Sequence, residues 1–376
     1  MPRTIGLMSG TSLDGVDAAW LETDGESVTA FGPTLTLPYD APLRRALRVI
    51  LEIAPDLAPD DVGLLRAVAL LTDCHVRAVK ALERPADLIG FHGQTILHRP
   101  DQQRTWQVGD ATLLARETGI PVAYDFRSAD VASGGEGAPL VPVYHAALAR
   151  DLPRPIAVLN IGGVANVTWI GDHGAAFREI AEQESHALIA FDTGPGNGLL
   201  DDWVSRCTGQ AFDRDGTLAR AGSVHPTVLA ALMAHSYFAR PAPKSLDRLD
   251  FSSALEATGL NTLTPADGAA TLVAFTAASV SAARFPAPPR RWLITGGGRH
   301  NPAIMAALRL NLGVPVDPVE AVGWNGDALE AQCFGFLAVR VARGLPLSFP
   351  GTTGVPVPMT GGRIVTGQDN TAAIYC

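Results

Sequence analysis

The hydrophobic pattern of the chain begins with a hairpin. Over residues 5–20 an apolar run enters a turn of small and polar residues, and a second apolar-rich run leaves it. Asp14-Gly15 lies in that turn, and such a dipeptide between two apolar runs is typical of a tight β-turn. The same order of strand, glycine-bearing turn and strand ending in tryptophan returns at 157–170. Two such hairpins, heading comparable lengths of chain, predict an internal duplication, with chance similarity as the alternative.

The rest of the chain alternates between helical and strand patterns. Apolar residues at helical spacing predict helices at 41–53, 59–82, 265–283, 302–310 and 326–343. Short apolar strands with polar or glycine-rich ends are predicted at 86–95, 121–125, 188–197 and 292–301. This alternation predicts an α/β protein. The tail from residue 345 is rich in proline and glycine, so we expect an extended strap.

Composition narrows the class of protein. A chain of 376 residues with 47% hydrophobic and 18% charged residues is a packed protein, long enough for two domains. The net charge of −9, from 29 basic and 38 acidic residues without a basic block, argues against nucleic acid as the partner. No apolar stretch reaches membrane-spanning length and no signal segment opens the chain, so we expect a soluble protein without a membrane partner.

Cysteine usage points to the cytoplasm. Cys74, Cys207, Cys333 and Cys376 are scattered and form no Cys-x-x-Cys pair. We therefore expect neither a disulfide framework nor a zinc site, and a reducing compartment fits.

Four glycine turns follow apolar strands, and together they indicate a nucleotide. They occur at 9–15, 162–163, 193–197 and 295–298. Backbone N–H groups, hydroxyls and a helix N-terminus can cradle phosphates at such turns without a lysine. None of the turns spells a P-loop or a dinucleotide fingerprint. Each turn alone can be structural, but the set predicts a nucleotide in a cleft between two domains, with Mg²⁺ arriving with it.

Several polar residues are candidates for chemistry. Asp192 ends an apolar strand beside a glycine turn, where a carboxylate can act as general base or can cap its own turn. Polar residues at other strand ends, in the glycine-rich loop 126–139 and on an apolar helix face are candidate ligand contacts: His92, Gln94, Arg127, Asp130, Glu136 and Glu330. A buried histidine satisfied by backbone is the alternative for His92, and flexible filler is the alternative for the loop.

The motifs together resemble one family, the anhydro-N-acetylmuramic acid kinases. The resemblance runs in order through 6–17, 93–95, 98–100, 107–110, 134–142, 160–166, 192–197, 295–301 and 327–331. It covers essentially the whole chain. Two departures stand out: Glu136 replaces a glutamine that many members have, and Leu246-Asp247-Arg248-Leu249 follows Pro243-Lys244-Ser245 where the family usually continues Thr-Gly-Arg-Glu.

The resemblance implies a duplicated actin/hexokinase-like two-domain α/β fold with a nucleotide cleft between the domains. Its expected domains are 1–142, carrying the sugar-binding loops, and 143–345, carrying the catalytic acid and the adenosine site, with the tail 346–376 packing back on the first. The implied activity uses ATP and Mg²⁺ to open 1,6-anhydro-N-acetylmuramic acid with water and to phosphorylate O6, in cytoplasmic recycling of cell-wall fragments. A homodimer is left open.

The resemblance also implies roles for residues. Asp192 would be the base, the six candidate ligand contacts above would bind the sugar, and no metal ligand is assigned. The expected nucleotide-binding residues are Gly10, Thr11, Ser12, Leu13, Asp14, Gly15, Val16, Asp17, Asn160, Gly162, Gly163, Gly194, Gly196, Asn197, Gly296, Gly297, Gly298 and Asn301. The alternatives are a kinase of another sugar or small carboxylic acid, and a non-catalytic sensor, against which Asp192 speaks.

Overall fold

The chain folds into two compact units. A computed structural model describes residues 1–10, 12–172, 187–246, 251, 255 and 257–369. Unit 1 consists of Met1–Arg150 and Ala328–Cys376, and unit 2 of Asp151–Asp327. The sequence placed the limits at 142/143 and 345/346. The observed limits differ because residues 143–150 and 328–345 pack in unit 1.

Unit 1 is built on a seven-stranded mixed sheet. Its strands are β1 (Arg3–Ser9), β2 (Gly15–Thr23), β3 (Val28–Pro38), β4 (Leu88–Arg99), β5 (Arg104–Val108), β6 (Val122–Tyr124) and, late in the chain, β12 (Arg363–Val365). Their order is β12-β6-β4-β1-β2-β3, with β5 paired to β4. β1, β2 and β3 form an antiparallel meander, whereas β4 runs parallel to β1 and β6 parallel to β4. The antiparallel β12 covers the β6 edge.

Unit 2 repeats this connectivity. Its strands are β7 (Ile156–Ile161), β8 (Val164–Ile170), β9 (Leu188–Pro195), β10 (Trp292–Thr295) and β11 (Val316–Pro318), in the order β11-β10-β7-β8-β9. Again three strands form an antiparallel meander and two more add in parallel beside the first of them. The two hairpins read from the sequence thus occupy equivalent places. The predicted duplication is confirmed.

Helices lie between these strands. In unit 1 they are α1 (Ala41–Ile53), α2 (Val62–Ala81), α3 (Ala111–Thr118), α4 (Ser128–Ala132), α5 (Pro142–Leu148), α11 (Leu329–Arg343) and α12 (Pro350–Thr353). In unit 2 they are α6 (Gly198–Thr208), α7 (Thr217–Arg220), α8 (Pro226–Met233), α9 (Pro265–Ser281) and α10 (Pro302–Leu312). Asp40 and Asp61 begin α1 and α2, since their carboxylates accept bonds from backbone N–H groups at 2.8 and 2.9 Å. Within the described part of the chain, no helix is both long and apolar enough to span a bilayer.

Helix α11 joins unit 1 because three glycines let it approach the sheet. A Cβ on Gly6 of β1 would overlap the carbonyl oxygen of Ala331, and one on Gly90 of β4 would overlap that of Phe334. On the helix side, Gly335 has no room for a Cβ against Leu21. This close packing of backbone against backbone fixes α11 across the amino-terminal halves of β1 and β4. In both strands, these halves come before the polar residues of unit 1.

Candidate functional site

The first glycine turn of unit 1 presents an open side. Ser12 and Asp14 are exposed, and a Cβ on Gly10 would meet only the Ser12 hydroxyl, at 3.6 Å. Leu13 points inward, 3% exposed, with a left-handed φ of 59°. Thr11, also predicted to bind nucleotide, lies outside the described residues. Since nothing in the described protein requires glycine at position 10, its open face suits a ligand.

Hydrogen bonds from one backbone N–H group and two side chains hold the turn in place. Leu13 N–H and the Gln94 amide both donate to the Gly10 carbonyl at 3.2 Å, and Arg44 Nε donates to the Leu13 carbonyl at 3.0 Å. Gln94 is fully buried, and its Oε1 has no hydrogen-bond partner among the described residues. That acceptor is a candidate contact for a ligand or water.

A buried network of hydrogen bonds lies at the end of β1, directly before the turn. His75 Nδ1 lies 2.8 Å from the Leu71 carbonyl, which only accepts, so Nδ1 carries the proton. Nε2 therefore accepts from the Ser9 hydroxyl at 3.0 Å, and Ser9 accepts from the Tyr39 hydroxyl at 2.8 Å. Burial lowers the pKa of His75 to about 4, so the imidazole stays neutral. The end of β1 is thereby fixed by directional bonds.

Three residues predicted to bind nucleotide have structural roles in the sheet of unit 1. A Cβ on Gly15 would overlap the carbonyl oxygen of Leu37, so this glycine is required by strand pairing. Val16 is a fully buried core residue. Asp17 accepts a 2.5 Å bond from the Thr36 hydroxyl on β3. Strand pairing and core packing thus account for these three residues, whose role in binding nucleotide stays a prediction.

The predicted sugar residues of unit 1 form one cluster around Arg127. Its Nε donates to His92 Nε2 at 3.0 Å, and one terminal nitrogen donates to the Gly137 carbonyl at 2.7 Å. His92 is 2% exposed; burial, and next the charge of Arg127, hold its pKa well below the usual range. Burial also lowers the pKa of Arg127, an effect that the charge of Glu330 opposes. Neutral His92 orients the guanidinium.

Asp130 supports this cluster through hydrogen bonds to the protein. It is 2% exposed, and its Oδ1 accepts from Gly137 N–H at 2.6 Å. Its Oδ2 accepts from the hydroxyls of Ser348 and Thr353 in the tail. The carboxylate ties the glycine-rich loop to the tail, and Asp130 stays a predicted sugar contact. Sequence reasoning missed this because the partners lie more than 200 positions away.

Glu136 and Glu330 keep accessible side chains. The Glu136 N–H donates to the Thr353 carbonyl at 2.7 Å, which anchors its backbone and leaves the side chain half-buried. Glu330 is exposed in the first turn of α11. Both remain candidate sugar contacts.

In unit 2, Asp192 lies within β9, opposite Asn166 of β8, and forms hydrogen bonds through both its backbone and its side chain. Leu246 N–H donates to its Oδ2 at 2.8 Å, and its own N–H donates to the Lys244 carbonyl at 3.0 Å. Its carbonyl accepts from the Tyr237 hydroxyl at 2.5 Å. The carboxylate is half-buried and held by a neighbouring loop, so it is not simply the cap of its own turn.

The three glycine turns of unit 2 converge. Asn197 N–H donates to the Gly162 carbonyl at 2.7 Å, and the Asn197 amide donates to the Ile161 carbonyl at 3.1 Å. A Cβ on Gly163 would meet nothing within 4 Å, and one on Gly297 would meet only the Asn197 amide, at 3.5 Å. These two positions have room for a ligand.

Other glycines of these turns are explained by packing. A Cβ would overlap the Ser279 side chain at Gly194, the Gly162 carbonyl at Gly196, the Asn160 amide oxygen at Gly296 and the Ile161 side chain at Gly298. Close approach of protein to protein therefore requires glycine at these four positions, and their role as nucleotide contacts stays a prediction.

A cavity of about 440 Å³ opens beside Gly297 in unit 2. Its lining consists of Asn197, Asp201, Ala211, Phe212, Asp213, Arg214, Asp215, Gly297, His300 and Asn301. Asn301 begins α10, its Oδ1 accepting from Ala303 N–H at 2.9 Å. Phe212 is 49% exposed and carries the Arg214 guanidinium 5.4 Å from its ring centroid. Residues 211–215 could not be found from the sequence, since no motif marks them.

Metal ligands remain unassigned. Among the described residues, no group of three or more His, Cys, Asp or Glu side chains could hold a metal ion. Cys74, Cys207 and Cys333 are free thiols.

The two units share the same strand connectivity, and in each an open glycine turn follows the first strand. These features place the chain in the actin/hexokinase-like class of α/β proteins. Residues 2–367 match the family model of anhydro-N-acetylmuramic acid kinase, and the chain belongs to that family. Relatives of that name are 62% identical in Acidiphilium cryptum, covering 96% of this chain and 98% of the relative, and 56% identical in Rhodospirillum rubrum, covering 95% and 92%. The Gluconobacter oxydans relative is 54% identical, covering 97% and 100%.

The chain also resembles a solved structure that is more distant in sequence. Component A of (R)-2-hydroxyglutaryl-CoA dehydratase from Acidaminococcus fermentans is 12% identical, with a TM-score of 0.47 over 91% of this chain and all of that one. The assignment to the family rests on the sequence relatives.

Proposed function

We propose that the chain is an ATP-dependent kinase that hydrolytically opens 1,6-anhydro-N-acetylmuramic acid and phosphorylates it to N-acetylmuramic acid 6-phosphate. The observation that carries the proposal is Asp192, a half-buried carboxylate fixed within β9, the strand that leads into one of the converging glycine turns. Membership of the kinase family supports the same reaction. We place the reaction in the cytoplasm, in recycling of cell-wall material, and expect no nucleic-acid partner.

Each unit has features that suit a part of ATP. The open side of Gly10 with the exposed Ser12 hydroxyl suits phosphate oxygens. The cavity beside Gly297 has a volume within the range of small-molecule sites and carries an exposed aromatic face suited to adenine. When bound, ATP with Mg²⁺ supplies the phosphoryl group and neutralises part of the phosphate charge.

The sugar suits the Arg127 cluster. Two N–H groups of Arg127 are used by His92 and Gly137. The guanidinium has further donors, which can grip the lactyl carboxylate of the muramic acid. Gln94 Oε1 and the accessible Glu136 and Glu330 side chains suit sugar hydroxyl and amide groups.

Asp192 then acts as the general base. It takes a proton from the water whose oxygen bonds to the anomeric carbon. The bond from that carbon to the bridging O6 breaks, and O6 bonds to the γ-phosphorus as ADP leaves. No separate acid is needed, because the phosphoryl group captures the departing oxygen.

The test is a product analysis in ¹⁸O-labelled water with Mg-ATP and the anhydro sugar. We expect the 6-phosphate by mass spectrometry, with label at the anomeric oxygen and none in the phosphoryl group; unlabelled product kept in the same water corrects for exchange. Asp192→Asn should lower the rate by about 10² to 10⁴. Asp202→Asn, on the exposed face of α6, is the matched control. Normal turnover of Asp192→Asn, or label only in free phosphate, contradicts the mechanism.

The same experiment separates the alternatives. A kinase of another sugar or a small carboxylic acid would phosphorylate that compound and leave the anhydro sugar intact. A sensor would bind ATP or sugar without forming product.

A further inference from the structure

The loop that departs from the family pattern lies directly against Asp192. Lys244 C=O and Leu246 N–H bond to the backbone and carboxylate of Asp192 at 3.0 and 2.8 Å. The loop is therefore joined to β9 by one bond between backbones and one bond from its backbone to the Asp192 carboxylate. One carboxylate oxygen is fixed by an amide that belongs to a different segment of the chain.

Tyr237 closes this arrangement from the other side. It is 2% exposed, and its hydroxyl donates to the Asp192 carbonyl at 2.5 Å. Lys244 Nζ in turn donates to the Tyr237 carbonyl at 3.1 Å and lies 4.4 Å from the centroid of the Tyr237 ring. Tyr237, Lys244 and Asp192 thus form a closed ring of contacts.

The closed ring of contacts packs on a cluster of aromatic side chains. Tyr237 packs edge-on to Phe238 and Phe251, with centroids 5.8 and 6.2 Å apart. Phe251 packs edge-on to Phe275 of α9 at 5.3 Å. Because interiors are close-packed, Tyr237 has little freedom to move its hydroxyl.

We propose that Tyr237 and Lys244 are positioning residues that hold Asp192 in the geometry of a general base. The inference rests on the proposed role of Asp192. A base must meet the attacking water at hydrogen-bond distance and in the right direction, so small displacements cost rate more than binding. The departure at Leu246 leaves this function intact, because the contact it makes with Asp192 uses its backbone N–H.

The test is Tyr237→Phe, which keeps the ring and removes the hydroxyl. We expect kcat to fall about 10- to 100-fold while KM for ATP and for the anhydro sugar stays within about twofold. Tyr144→Phe is the matched control, a fully buried tyrosine of unit 1 whose hydroxyl donates to Gln332 Oε1 at 3.0 Å. Lys244→Met keeps the approximate length of the side chain and removes its charge, and it should also lower kcat. This variant tests the proposal if Tyr237→Phe does not fold.

The outcomes separate two failures. If Asp192→Asn is inactive while Tyr237→Phe and Lys244→Met keep wild-type kcat, the positioning role is wrong and the proposed function stands. A loss that appears in KM rather than kcat, or equally in Tyr144→Phe, also overturns the positioning role. If Asp192→Asn turns over normally, the proposed base itself is wrong.

Discussion

At the scale of single residues, the glycines divide by what a side chain would meet. Gly6 and Gly90 face the backbone of α11, and a Cβ at either would overlap a carbonyl oxygen. Gly10, Gly163 and Gly297 face open space or at most ordinary contacts. All five look alike in sequence, as glycines in or after apolar strands, and only the second group needs a ligand to explain it.

Gly10→Ala should show whether glycine is needed at this position for ligand binding or for packing of the protein. Its Cβ meets no described protein atom closer than 3.6 Å, so thermal stability without nucleotide should change little. With phosphate against the turn, the same methyl group should weaken binding of a non-hydrolysable ATP analogue about tenfold or more, which calorimetry measures.

The control is Gly361→Ala, where the new Cβ likewise meets only atoms at 3.5 Å, in the tail of unit 1. It should bind the analogue with wild-type affinity. Unchanged affinity of Gly10→Ala would remove the phosphates from this turn.

At the scale of elements, the segment between α6 and α7 is the clearest gain from the structure. It brings an exposed aromatic ring, Phe212, under the Arg214 guanidinium at the lining of the unit 2 cavity. An exposed ring at a cavity is a suitable stacking surface for a base, and arginine adds a second planar face.

Phe212→Ala should therefore raise KM for ATP by about 5- to 30-fold with little change in kcat, since base stacking contributes about 1–2 kcal/mol. Phe31→Ala is the matched control, because Phe31 is 50% exposed on β3 against 49% for Phe212. Steady-state kinetics with varied ATP decides the matter. Equal effects of the two substitutions would place the base elsewhere.

At the scale of the whole molecule, the histidines of unit 1 link the stability of the fold to pH. Unit 1 carries four with depressed pKa values. Burial lowers the pKa to about 4 for His75 and His98, to about 3 for His145, and well below the usual range for His92. These imidazoles stay neutral in the folded unit but take protons in the unfolded chain.

Stability should therefore fall as pH drops through the window from about 6.5 to 4. In that window the unfolded chain binds more protons than the folded one, so each fully buried histidine costs about 1.4 kcal/mol per pH unit. Urea unfolding between pH 7 and 5, where ordinary carboxylates remain ionised, measures the slope. His75→Gln should reduce it by about that amount at most.

His300→Gln, at a histidine whose side chain is 65% exposed, is the matched control for loss of an imidazole. A slope that His75→Gln leaves unchanged would mean that His75 does not govern acid stability.

Local patterns settled the elements and the class of the protein. Apolar spacing, turn dipeptides and glycines depend on neighbours in sequence, so the two hairpins and helices such as α1 and α9 could be predicted close to their observed bounds. The helix predicted at 59–82 is likewise present as α2, over Val62–Ala81. The ordered motifs also sufficed for the family, because they extend along nearly the whole chain.

Only the tertiary structure decided which residue of a motif faces a ligand and which packs against protein. The carboxylate of Asp130 is taken up by Ser348, 218 positions away, and Gly90 is required by Phe334 of α11. Asp192 is held by Tyr237 and Leu246, which no motif connects to it. Burial and hydrogen bonding depend on partners brought together by folding, and a linear pattern does not contain those partners.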